Sequence, residues 1–69
     1  MPYVTNNDLP ISVQRHVPEH GQEIFREVFN HAWQQYADDP RRKDIAHRVA
    51  WSGVEKAYRK MGTEWVPRI

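Results

Sequence analysis

The sequence predicts a mainly α fold with a minor β component, and three observations carry that expectation. Five prolines, Pro2, Pro10, Pro18, Pro40 and Pro67, fall where elements should begin or end. Between them run two long stretches in which apolar residues recur at helical spacing. Both ends of the chain carry short runs of strand-forming character, Pro2-Tyr3-Val4-Thr5 and Thr63-Glu64-Trp65-Val66.

The first helix is expected over about 10–16. Asp8 can accept from free first-turn amides, and Pro10 is tolerated at the first position because its missing N–H would have no partner there. Pro18 closes this helix by displacing residue 17 from helical geometry, and it opens a second helix over about 18–37. Glu19 and Glu23 lie near the start of that helix, the end its dipole makes favourable for acids. Its apolar residues Ile24, Phe25, Val28, Phe29, Ala32, Trp33 and Tyr36 form one broad face. Gln22, Glu23, Arg26, Glu27, Asn30 and Gln34 form the opposite face and are read as standing in water.

Asp38-Asp39-Pro40 repeats the pattern of cap and proline, with Asp39 as N-cap, and predicts a third helix over about 40–61. Its stripe is Ile45, Ala46, Val49, Ala50, Val54, Ala57, Tyr58 and Met61, with His47, Trp51, Val54 and Tyr58 as an adjoining row. Gly62 is read as its left-handed terminator. The short strands at the two ends are expected to pair over the helices and to cover the core with Tyr3 and Trp65.

A chain of 69 residues has room for one core, so residues 1–69 are expected to form a single domain. With no cysteine, neither a disulfide, a cysteine-zinc site nor a thiol nucleophile is open to it. Three tryptophans, three tyrosines and two phenylalanines supply the alternative, a core of large aromatic side chains. The expected core comprises Ile24, Phe25, Val28, Phe29, Trp33, Tyr36, Val49, Trp51, Val54, Tyr58 and Trp65. No apolar run approaches the ~20 residues of a membrane span, and Met1-Pro2-Tyr3 opens no secretion signal, so a cytoplasmic location is expected.

A net charge of +1 hides a division along the chain. Residues 1–40 set two basic residues against six acidic ones, a balance of −4, whereas residues 41–69 set eight against three, a balance of +5.

Met1-Pro2-Tyr3, Asp8-Leu9-Pro10, Pro18-x-His20-x-Gln22-x-Ile24, Phe29-Asn30-x-Ala32-Trp33-x-Gln35-Tyr36 and Ala46-His47-x-Val49-Ala50-Trp51 together resemble the ChaB family. The pieces occur in family order over nearly the whole chain. The resemblance implies a small helical fold with a minor β component, and a regulatory role in cation transport connected with a cation antiporter. Viral members of the family have been connected with DNA, so it also implies a second reading, non-specific binding of nucleic acid. The segment between Tyr36 and Ala46 departs from the pattern, being shorter than in the antiporter-linked relative, where it is longer and charge-rich. The family match at Asn30 implies that its amide ties the second helix to a loop.

Catalysis finds no support in the residues. Ser12 and Ser52 lie in no nucleophile motif, no glycine-rich loop exists to cradle phosphate, and the carboxylates fall on solvated faces. The chain is therefore expected to be a non-catalytic module with no cofactor. His16 and His20 have the i,i+4 spacing of metal ligands, but Pro18 interrupts the helix that would align them, so structural roles at a helix junction are expected. His47 adjoins the core row and is expected to donate to a backbone carbonyl. Trp33, Trp51 and Phe29 have the spacing of a core, not of a stacking platform for bases. Trp65 is open to either role, covering the core or touching a partner.

The basic set is the candidate partner site. Arg41, Arg42 and Lys43 open the third helix, where its dipole disfavours cations, so local stability does not account for them. Arg48, Lys56, Arg59 and Lys60 are expected to continue the positive side along the exposed face. Against this stands the reading that Asp38, Asp39, Asp44 and Glu55 partly pair with these charges and leave a merely solvated surface. The partners expected are another protein, such as a cation antiporter, or nucleic acid.

Overall fold

The structure is a computed structural model and describes residues 3–68, so Met1 and Pro2 of the expected N-terminal strand lie outside it. A 3₁₀ turn at Asn6–Asp8 leads to α1 (Ile11–His16), α2 (Glu19–Gln35) and α3 (Arg42–Ala57), then to β1 (Tyr58–Met61) and β2 (Glu64–Pro67). The expected class, three helices with a small sheet, is the one found.

Two details differ. The third helix stops at Ala57, and residues 58–61 are the first strand of a hairpin. Tyr58 pairs with Pro67, Arg59 with Val66, Lys60 with Trp65 and Met61 with Glu64, antiparallel. Gly62 does take a left-handed conformation, φ 66°, but it does so in the two-residue turn of this hairpin. It alone of the two turn residues has positive φ, the signature of a type II′ turn, whose twist suits the flanking strands. Arg, Lys and Met at 59–61 have good helix propensity, and pairing with β2 overrides it.

The expected pairing of the two ends is likewise corrected. β2 pairs with β1, and Tyr3, Val4 and Thr5 form no strand. The backbone groups Tyr3 would need for a ladder are both taken. Its N–H donates to Asn30 Oδ1 at 2.9 Å, and its carbonyl accepts from Asn30 Nδ2 at 2.7 Å. Asp8 also acts elsewhere than expected. Its carboxylate accepts from the Thr5 amide at 3.0 Å and closes the 3₁₀ turn, while α1 begins after Pro10 with no side-chain cap.

Leu9, Val13, Val17, Phe25, Phe29, Ala32, Ala46, Ala50, Val54 and Tyr58 are buried. α2 and α3 pack along their length with alanines at Ala32, Ala46 and Ala50, small side chains that fit where helix faces meet. Phe25 is fully enclosed, 6.2 Å from the ring of Phe29 and edge-on to Trp51 at 5.1 Å. Tyr3, Ile24, Trp33, Tyr36, Trp51 and Trp65 pack around this centre half-buried. Val28 is also half-buried, whereas Val49, expected in the core, is 38% exposed on the outer side of α3. Leu9, Val13 and Val17 take the room that the long-helix reading left unassigned. They come from α1 and its flanks, which are too short to show periodicity.

Candidate functional site: the basic face of α3 and β1

At about 3.6 residues per turn, burial of Ala46, Ala50 and Val54 turns Arg41, Ile45, Arg48, Val49, Ser52 and Lys56 to the outside of α3. Arg41, Arg48 and Lys56 are exposed there, whereas Lys43, also exposed, falls in the first turn on the side of Ala46 and Ala50. Arg59 and Lys60 are exposed as well, but they stand on β1, so they extend the face beyond the helix end instead of along it. Asp39 is not the N-cap expected of it: α3 starts at Arg42, two residues later than expected, with Arg41 as N-cap and no side-chain cap. The Asp39 carboxylate accepts from the Arg41 amide at 2.8 Å in the turn before the helix.

Arg42 is set apart from the other six. Its Nε donates to the Trp33 carbonyl at 2.8 Å, and its guanidinium lies 3.9 Å from the centre of the Trp33 ring. Trp33 in turn stacks on Phe29 at 5.9 Å. A guanidinium held by a hydrogen bond and a ring face joins α3 to α2. Arg42 is thus a strut. The close contacts between basic and acidic side chains found among the described residues are His16 Nδ1 to Glu64 at 3.0 Å and His20 Nδ1 to Glu23 at 3.5 Å, and neither involves a lysine or an arginine. The expected partial pairing of the cations with Asp38, Asp39, Asp44 and Glu55 is not formed.

A shallow cleft of about 270 Å³ opens on this face, lined by Asp39, Arg41, Asp44, Ile45, Arg48 and Val49. Cations, carboxylates and two apolar side chains meet in it. The sequence contained the signal, since Ile45 and Val49 sit four apart between Arg41 and Arg48, but the same spacing was assigned to the core.

The other singled-out residues have structural partners. Asn30 ties α2 to the N-terminal segment, as the family resemblance implies. Gln22 and Arg26, read as solvated, continue that clamp. Gln22 Nε2 donates to the Val17 carbonyl at 2.8 Å, and Arg26 Nε donates to Asn6 Oδ1 at 2.9 Å. His16 reaches β2 through Glu64, whereas His20 lies beside Tyr58, so the two imidazoles face different neighbours. Among the described residues no group of three or more His, Cys, Asp or Glu side chains could hold a metal.

His47 does not donate to a carbonyl. Its Nε2 faces Trp51 Nε1 at 3.1 Å, and because an indole nitrogen only donates, that imidazole nitrogen must be the acceptor. Trp51 stacks on Trp65 at 5.3 Å, which fixes the hairpin to α3. Trp65 therefore covers the core. Among the described residues no helix is long and apolar enough to cross a membrane.

The comparisons with known proteins agree with one another. The family model ChaB matches residues 9–68. Proteins of Escherichia coli strain K12 and of Shigella flexneri, each named "Putative cation transport regulator ChaB", are 47% identical to this chain, with 87% of both chains covered. A solved structure described as "NMR solution structure of the putative cation transport regulator ChaB" matches with a TM-score of 0.88 at 41% identity, covering 99% of this chain and 100% of that one.

Proposed function

This chain belongs to the ChaB family, and from that premise we propose that it is a non-catalytic regulatory module that modulates a cation antiporter by binding it through the basic face of α3 and β1. The observation that carries this reading is the state of the cations. Arg41, Lys43, Arg48, Lys56, Arg59 and Lys60 are exposed and make no ion pair among the described residues, although Asp39 and Asp44 stand near Arg41 and Arg48. Arg41, Arg48 and Lys56 on the outer side of α3 attract an acidic surface and steer its approach, and Arg59 and Lys60 extend the positive charge past the helix end.

The test is binding of the purified chain to a cation antiporter held in lipid nanodiscs, measured at rising salt. The expected result is an affinity that falls steadily as salt screens exposed charges within the ~8–10 Å Debye length. Replacing Arg41, Lys43 and Arg48 with glutamine should weaken binding and flatten that dependence. Absence of binding at low salt overturns the antiporter reading. Retarded migration of arbitrary duplex DNA under the same conditions would put non-specific nucleic-acid binding in its place.

A further inference from the structure

We propose that the cleft on α3 is a docking site for an acidic amphipathic helix of a partner protein. This rests on the reading of the basic face as the partner site and specifies the chemistry of that partner. Three features of the cleft carry it: its apolar floor, its cationic walls and its two carboxylates.

The floor is Ile45, half-buried, and Val49, 38% exposed, side by side at i,i+4. This pair is only partly covered, on a helix whose own core is filled by Ala46, Ala50 and Val54, and its uncovered apolar surface offers contact to apolar side chains from outside. Arg41 and Arg48 flank it, and Lys56 continues the line two turns on. A stripe from residue 41 to residue 56 is ~22 Å long at ~1.5 Å per residue, the length of about four helical turns. A partner helix lying along it would place leucine-like side chains on Ile45 and Val49, with glutamates or aspartates reaching the cations on either side.

Asp39 and Asp44 decide against a phosphate backbone. Both line the same cleft as Arg41 and Arg48, and a polyanion would meet two carboxylates there. A protein helix carries its acids on its flanks and can set a basic or neutral residue opposite Asp39 and Asp44. The mixture of charges also selects register, since a shift of one turn opposes like charges.

The test uses the whole chain labelled for NMR and three probes. These are a synthetic helix with leucines at i, i+3, i+4 and i+7 and glutamates elsewhere, a scrambled peptide of the same composition, and polyglutamate of the same length. The amphipathic helix should shift the amides of residues 44–49 most and bind more tightly than either control. Val49→Asp should weaken that peptide about tenfold or more, because a carboxylate on the floor must lose water against apolar side chains, whereas Val49→Ser, which adds no charge, should leave polyglutamate binding unchanged. Toward the amphipathic helix Val49→Ser, a milder change at an exposed position, should give the same sign, with both melts matching wild type. Equal binding of the three probes, or indifference of the helix to both Val49 variants, overturns the docking site while leaving the basic face intact as a partner surface. Polyglutamate binding that is unchanged in Arg41→Gln and Arg48→Gln overturns the basic face as well.

Discussion

The polar side of α2 and the polar side of α3 have the same kind of sequence and opposite fates. On α2, Gln22, Arg26 and Asn30 recur every fourth residue, and each donates to the segment that wraps across it. On the outer side of α3, Arg41, Arg48 and Lys56 recur about every two turns and make no ion pair among the described residues. Amide and guanidinium groups on α2 satisfy carbonyls of non-helical backbone that lacks a ladder of its own, at Tyr3, Val4 and Val17. Among the described residues no such backbone is hydrogen-bonded to the Arg41, Arg48 or Lys56 side chains on the outer face of α3. The first region is polar in order to hold the fold; the second is polar without any need of the fold, and it is there that a partner is expected.

The largest effect should come from Phe25, whose ring is shared by both regions through Phe29 on one helix and Trp51 on the other. Phe25→Ala should cost about 3–5 kcal/mol, comparable to the entire stability of so small a domain. The variant should show no cooperative melt; a transition within a few degrees of wild type would mean that the two helices do not share one core. Asn30→Ala comes next. It leaves both the N–H and the carbonyl of Tyr3 without their partner, and part-buried groups left unmade cost about 1–3 kcal/mol. In a domain of this size each kcal/mol moves the melting temperature by about 4–8 °C, so calorimetry should resolve the loss. An unchanged melt would put the α2 clamp on the same footing as the α3 face.

How far these regions were legible follows from the same contrast. Periodicity located α2 and α3 and placed Phe25, Phe29, Val54 and Tyr58 inward, because a filled core leaves a repeating mark. It misplaced Val49, since an apolar residue on the outer face has the spacing of a core residue and differs only in what stands opposite. Prolines at 10, 18 and 40 marked the helix junctions, but nothing local separated the helix ending at Ala57 from the strand that follows. That boundary is set by a partner strand six residues downstream of β1's start and by the Trp51–Trp65 stack. The hydrogen bonds of Gln22 and Arg26 were equally hidden, for their acceptors, the Val17 and Val4 carbonyls and Asn6 Oδ1, lie far off in sequence or carry no signal of their own. Asn30 was legible through the family resemblance alone. Among the basic residues, sequence showed the charge and structure showed the difference between Arg42, which is engaged, and the six that are not.

A smaller stability effect sharpens the comparison from the other side. Replacing Arg41, Arg48 and Lys56 together with glutamine should change stability by no more than about 0.5 kcal/mol, because exposed charges with no partner contribute little. Arg42→Gln should cost more than all three, through loss of the Trp33 contact. Chemical denaturation of both variants checks the order. Equal losses would mean that the exposed cations have partners in solution and are not a vacant surface.

The smallest effect concerns Tyr3, and it probes the clamp through pH. Burial at the margin of the core raises the Tyr3 phenol above its ordinary value of 10.0, since the phenolate would lose water there. A group whose folded-state pKa is raised holds its proton longer in the folded chain than in the unfolded one. Its contribution is therefore fully present below pH 10 and is lost as pH rises through the raised value. Tyr3→Phe removes the titration while keeping the ring that lies 4.7 Å from Phe29. Wild type and variant should run parallel in stability up to about pH 9.5, after which wild type should fall more steeply, by at most the slope of one proton. Comparing the pair cancels the titration of the other tyrosines and the lysines, which both chains share. Parallel curves up to pH 11.5 would mean that the Tyr3 hydroxyl stands in water, and that Asn30 holds the N-terminal segment by its backbone without pressing the ring against the core.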